Sequence, residues 1–166
     1  MSTSPIKLGP YGVVTVDGQK YREIPQIFVQ TATVTTPYQV ITNQRLTLPG
    51  IANFLLKGLS RDFSPGGGGL GTDSAQRVFR FRLYQQEGTS WFFSGGLGVF
   101  DDRVFDNLCF GSGQFPFPLI PPVPVHANGT LIYEIEDPGV VPAPIGYPYT
   151  IHFGFHGAYL IPVDEG

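Results

Sequence analysis

Charge is scarce in this chain. Asp, Glu, Lys and Arg make up 14% of its 166 residues, and 10 basic residues against 13 acidic ones leave a net charge of −3. That is no basic footprint for tracking nucleic-acid phosphates, and it leaves little long-range field to steer a charged ligand. Cysteine is nearly missing. The lone Cys109 excludes an intramolecular disulfide framework and a multi-thiolate zinc site. The stretch from Met1 to Pro10 has no apolar core of signal-peptide length, and no run approaches the roughly 18 apolar residues of a membrane span. The sequence-level expectation is therefore a soluble protein with no direct nucleic-acid binding and no membrane contact.

What the chain does have is glycine and proline, 22 and 16 of them, about twice their combined share in average proteins. Hydrophobic residues still reach 42% and aromatics 14%, enough for a core. This length suits one domain with a substantial interior and long loops, and the composition leaves little room for helices.

Along the chain, Val13 to Val16 reads as a strand entering an Asp17-Gly18 turn, a small hairpin or arm. The run from Ile27 to Thr36 is rich in β-branched residues and predicts a strand. Val40 to Leu48 resembles it, while Asn53 to Leu59 fits a strand or a short helical turn. Residues 60–76 carry four consecutive glycines and predict a loop. Phe79, Phe81 and Leu83 alternate with Arg80, Arg82 and Tyr84, which is the period of a strand with one buried face. Leu131, Tyr133 and Ile135, and then Tyr149, Ile151, Phe153 and Phe155, repeat the pattern. A hairpin is expected around Gly95-Gly96, and 101–106 as a polar loop. The five prolines in 115–125 allow that segment to border a sheet but not to lie inside one. Roughly eight strands with Gly/Pro turns predict an all-β, antiparallel β-sandwich or barrel, the sandwich being the reading adopted. Residues 1–26 form an N-terminal arm or small hairpin, and residues 27–166 the sandwich.

The motifs that might carry chemistry have plainer readings. Gly66, Gly68 and Gly71 match a dinucleotide-binding spacing but lack the flanking strand and helix. His152 and His156 share one strand face about 13 Å apart, too far for one metal, and are expected to face solvent or a neighbouring subunit, as is His126. Asp101, Asp102 and Asp106 lack the ligand spacing of a calcium loop and read as solvated. Glu134 and Glu136, about 7 Å apart, would suit a glycosidase pair, yet a charge ladder against Arg80 and Arg82 explains them better. Asn128-Gly129-Thr130 fits a glycosylation acceptor and, more simply, a turn before a strand. No cofactor, metal or catalytic residue is expected, so the chain is read as no enzyme.

Four stretches carry a resemblance: the aromatic turn Gly88-Thr89-Ser90-Trp91, the proline-rich Phe115-Pro116-Phe117-Pro118-Leu119 through Pro124-Val125, the turn and strand Asn128 to Ile135, and the closing Phe153-Gly154-Phe155-His156-Gly157. Over residues 77–162 the chain resembles bacteriophage virion structural proteins of the capsid decoration or minor structural type. The resemblance implies a jelly-roll-like sandwich, residence in the virion after synthesis in the host cytoplasm, homo-oligomerisation, and contact with major capsid, connector or tail proteins.

Seven Arg against three Lys and abundant aromatics suit a surface that neighbours cover. Ile6 and Tyr11 in the arm and Phe63 and Leu70 in the glycine loop are the candidate interface residues, expected to order on assembly. The alternative is a carbohydrate- or receptor-binding module of a tail or baseplate, with Trp91, Phe92, Tyr147 and Tyr149 as its sugar-facing aromatics.

Overall fold

A computed structural model describes residues 12–16, 18–65, 78–85, 103–106, 110–112, 114–139 and 147–163. The chain is nearly all β and antiparallel, with no α-helix among the described residues. Among the described residues nine strands run in order: β1 (Val13–Val16), β2 (Gln19–Val34), β3 (Val40–Thr47), β4 (Asn53–Pro65), β5 (Arg80–Gln85), β6 (Val104–Phe105), β7 (Phe117–Val125), β8 (Thr130–Glu136) and β9 (Tyr149–Pro162). They form a five-stranded sheet, β1-β2-β9-β4-β7, and a four-stranded sheet, β3-β8-β5-β6. The pairings are nested: β2 with β9, β3 with β8, β4 with β7, and β5 with β6.

Alternation puts one face of each sheet into a shared core. All nine residues expected inside from Phe79, Phe81, Leu83, Leu131, Tyr133, Ile135, Ile151, Phe153 and Phe155 are buried. The rings meet edge to face or tilted, with Phe81 4.6 Å from Phe110 and Phe79 5.7 Å from Phe153 between centroids. Such pairs each contribute about 0.5–1.5 kcal/mol beyond their buried area. Burial also pushes the Tyr133 hydroxyl up to about 12, since a phenolate there would lose its hydration.

Three expectations need correction. The sheet does not begin at residue 27, because β2 runs unbroken from Gln19 to Val34 and pairs with β9 from Tyr21 onward. The glycine loop does not begin at residue 60, because β4 continues to Pro65 along β9. Within that extension Phe63, expected as an interface anchor, is 3% exposed and packs on Phe79 and Tyr149 in the core. Its alternation was hidden by the polar Arg61 and Asp62 beside it. Ile6, Tyr11 and Leu70 lie outside the described residues, as do Trp91, Phe92, Cys109, the expected hairpin at Gly95-Gly96, and Gly66, Gly68 and Gly71. The Asn53 to Leu59 segment is strand, not helical turn. The proline-rich β7 takes the edge of the five-stranded sheet, where missing backbone donors cost least.

A bulge in β4 decides which residues face outward. The register against both β7 and β9 shifts between Leu56 and Gly58, so Leu56 and Leu59, three apart, both reach the core. The extra residue, Lys57, sends its ammonium 2.6 Å from a buried Glu23 carboxylate, which also accepts the Gly12 N–H at 2.9 Å. Beyond the bulge the parity of β4 is reset. Leu59, Arg61 and Phe63 point in; Ser60, Asp62 and Ser64 point out.

Candidate functional site

The outer face of the five-stranded sheet gathers most of the polar side chains that the bulge turns outward. Cross-strand rows run Val29–Gly154–Ser60, Thr31–His152–Asp62 and Thr33–Thr150–Ser64, with Ile27 beside His156. Two imidazoles lean diagonally across to two serines. Ser60 Oγ lies 2.6 Å from His156 Nε2, and Ser64 Oγ lies 2.8 Å from His152 Nε2. Thr33 and Thr150 share a hydroxyl contact of 2.9 Å. Between the histidines Gly154 has no side chain, and a Cβ there would meet Ser60 Oγ at 2.3 Å and His156 Nε2 at 2.8 Å. The missing side chain leaves a depression of about 260 Å³ bordered by Ile27, Val29, Ser60, Asp62, His152 and His156.

This corrects the expectation that His152 and His156 simply face solvent. Each is held by a serine, and His156 is buried. Burial lowers its pKa from the ordinary 6.5, so the ring is neutral at pH 7 and pairs with Ser60 as one donor and one acceptor. Asp62 accepts the N–H of Phe63 at 2.8 Å. The geometry is that of a shape-defined recess in which a few polar groups are set among mostly apolar surface. Among the described residues no three His, Cys, Asp or Glu converge as metal ligands.

On the four-stranded sheet the expected charge ladder is present. Register sets Arg80 opposite Glu136 and Arg82 opposite Glu134, at 3.2 Å and 2.5 Å. Arg103, not anticipated from the sequence, bridges both carboxylates at 3.1 Å and 2.6 Å. Both carboxylates therefore serve as acceptors for guanidinium groups. Asp106, expected in a solvated loop, is instead buried, bound by Arg61 Nε and by the Phe79 N–H at 3.3 Å. Asp101 and Asp102 lie outside the described residues.

A third cluster was not legible at all. Asp137, with no exposed surface, accepts the Tyr147 hydroxyl at 2.7 Å, the Gly139 N–H at 2.7 Å and the Tyr38 N–H at 3.3 Å on Oδ1, and the Tyr149 hydroxyl on Oδ2. It ties the β2–β3 connection to the segments before and after 140–146. Tyr147 and Tyr149, named above as sugar-facing aromatics, direct their hydroxyls at this carboxylate, and Tyr149 belongs to the core. The only sequence signal was Asp137-Pro138-Gly139, which reads as a turn.

Set against known proteins, the chain matches no family model, no curated sequence and no solved structure.

Proposed function

We propose that the protein is a non-catalytic structural component of a bacteriophage particle, a capsid-associated decoration or minor structural protein that works through protein–protein contact. The observation that carries this reading is the nested pairing of β2 with β9, β3 with β8, β4 with β7 and β5 with β6. Eight strands nested in this way across two sheets support a jelly-roll reading, an architecture that recurs in viral capsids, and the virion-protein resemblance of residues 77–162 points the same way. Fold alone does not assign a task. The side chains add support, since large apolar residues stand on the surface. Ile27, Val29, Ile51, Phe115 and Phe117 are all exposed, the kind of surface that neighbours in an assembly cover.

The test is to raise an antibody against the purified chain and apply it to purified phage particles, with mass spectrometry of the same particles. Labelling at a fixed place and in a fixed copy number is expected. A chain found only in the free protein fraction of the lysate, and never in the particle, would end this reading.

A further inference from the structure

The recess beside Gly154 holds a carboxylate with no cation set against it. Apart from His152 and His156, the only ionisable side chains on its border are Asp62 and Arg61. Arg61 is turned to the other face of β4, where its Nε binds Asp106. The one ammonium of β4, that of Lys57, is held by Glu23 at 2.6 Å. Asp62 is exposed, and among the described residues no cation pairs with it. Its two oxygens differ. Oδ1 accepts the Phe63 N–H at 2.8 Å, while Oδ2 accepts no hydrogen bond among the described residues. The two walls of the recess differ as well. On the β2 side Ile27 and Val29 are 51% and 64% exposed, in register with His156 and Gly154. Gly154 lowers the floor between that apolar wall and the carboxylate, since a Cβ there would come within 2.3 Å of Ser60 Oγ. The depression of about 260 Å³ therefore leads from apolar surface on β2 to one negative charge on β4, two strand spacings or about 10 Å away.

Such a recess is the complement of a cation with an aliphatic stem and a charged tip. Its geometry separates lysine from arginine. A guanidinium grips a carboxylate through two parallel N–H···O bonds and needs both oxygens, and here Oδ1 is already engaged. An ammonium is a compact charge that needs only Oδ2, and the Ser60 hydroxyl oxygen on the same border has a lone pair for a second bond. We propose that the recess is a socket for a lysine side chain of a partner protein, its ammonium on Asp62 Oδ2 and its methylene stem laid over Ile27 and Val29. This rests on the reading of the chain as a protein that works through protein–protein contact. Covered by the partner, the ion pair sits in a lower dielectric and gains strength that a solvated surface pair lacks. An acidic side chain in the same place would meet Asp62 with like charge, so the socket also discriminates by sign.

The test is a titration of the full, isotope-labelled chain with Nα-acetyl-lysine N-methylamide, followed through its backbone amides by nuclear magnetic resonance. Saturable shifts are expected at Val29, Ser60, Asp62 and Gly154. Asp62→Asn, at an exposed position, is expected to raise the dissociation constant about tenfold or more, as the loss of one charge-assisted bond implies. Val29→Ser is expected to weaken binding too, and unshifted amides of the core strands in both variants report that the domain stays folded. The corresponding norleucine derivative, which has the stem without the charge, and the arginine derivative are expected to bind more weakly than the lysine one. The proposal is overturned if the lysine probe gives no saturable shifts, or if Asp62→Asn leaves binding intact. Equal binding of the norleucine derivative would make the recess an apolar slot, and tighter binding of the arginine derivative would make it a guanidinium site; either overturns the proposal. Tighter binding of putrescine would give the recess to a free amine in place of a side chain and overturn it as well. The probe is applied to the chain alone, so failure here leaves its presence in a phage particle to be decided by antibody labelling, and absence from the particle leaves the binding result standing.

Discussion

The hydroxyl of Tyr149 donates to Oδ2 of Asp137, joining the first residue of β9 to a carboxylate that has no contact with solvent. Three further donors converge on the other oxygen, so this single side chain holds together segments about 100 residues apart in sequence. Asp137→Ala would leave two tyrosine hydroxyls and two backbone donors without their acceptor. The expected loss is at least about 3 kcal/mol in urea unfolding, with the slope unchanged, because donors deprived of a charged partner pay the full desolvation cost. Asp137→Asn, which keeps the shape, is expected to lose less. An unchanged midpoint for Asp137→Ala would show that the hub is not a stabilising centre.

The Ser60–His156 pair predicts a pH dependence with a definite sign. Burial lowers the folded-state pKa of His156 below 6.5, so near and below pH 6.5 the unfolded chain binds more protons than the folded one. Stability then increases with pH through that window, and its full value is present above it. Urea midpoints measured at pH 7.5 and at pH 5 are expected to fall toward acid, and His156→Gln is expected to flatten the difference. A slope left intact in His156→Gln would transfer the effect to other groups.

Gly154 keeps the recess open, and a methyl group there collides with both members of the pair beside it. Gly154→Ala is expected to cost about 1–3 kcal/mol, the usual range for overpacking. Ser60→Ala removes the oxygen nearest to that methyl, so the double variant is expected to be more stable than the sum of the two single effects. Strict additivity in thermal or urea unfolding would mean that the backbone moves aside instead.

Phe81 lies at the centre of the aromatic core, stacked at 5.9 Å on Tyr133 and tilted at 5.6 Å to Phe153. Phe81→Ala is expected to destabilise by about 3–5 kcal/mol, and a melting temperature equal to that of the unaltered chain would contradict the inward assignment.

Phe81 also marks what the sequence makes legible. Where apolar and polar residues alternate cleanly, as from Phe79 to Tyr84 and from Leu131 to Glu136, both the strand and its buried face follow from period two alone. Even the ladder partners are readable, because Arg80 and Arg82 occupy the same alternate positions as Glu134 and Glu136. Proline counting places β7 at an edge for an equally local reason. The recess was not readable, since it depends on a bulge at Lys57 that resets the parity of β4 and on a register that brings Ser60 to His156 across 96 positions. Asp137 was hidden because a buried carboxylate and a turn-forming one are the same letter, distinguished only by what arrives from Tyr38, Tyr147 and Tyr149.

The nesting of the strands has a consequence for how the chain is made. β9 lies between β2 and β4, so neither neighbour acquires its main partner until residues 149–162 have left the ribosome. Until then β2 has a bare edge where β9 will pair, more than 100 residues ahead of the strand that will close it. Synthesis therefore runs through a long interval in which an uncharged, β-branched segment is available to any other nascent copy. Folding is expected to be slow and to await β9, as non-local sheet topologies dictate. Yield in expression should depend on temperature and on chaperone capacity more than on the final stability of the folded domain.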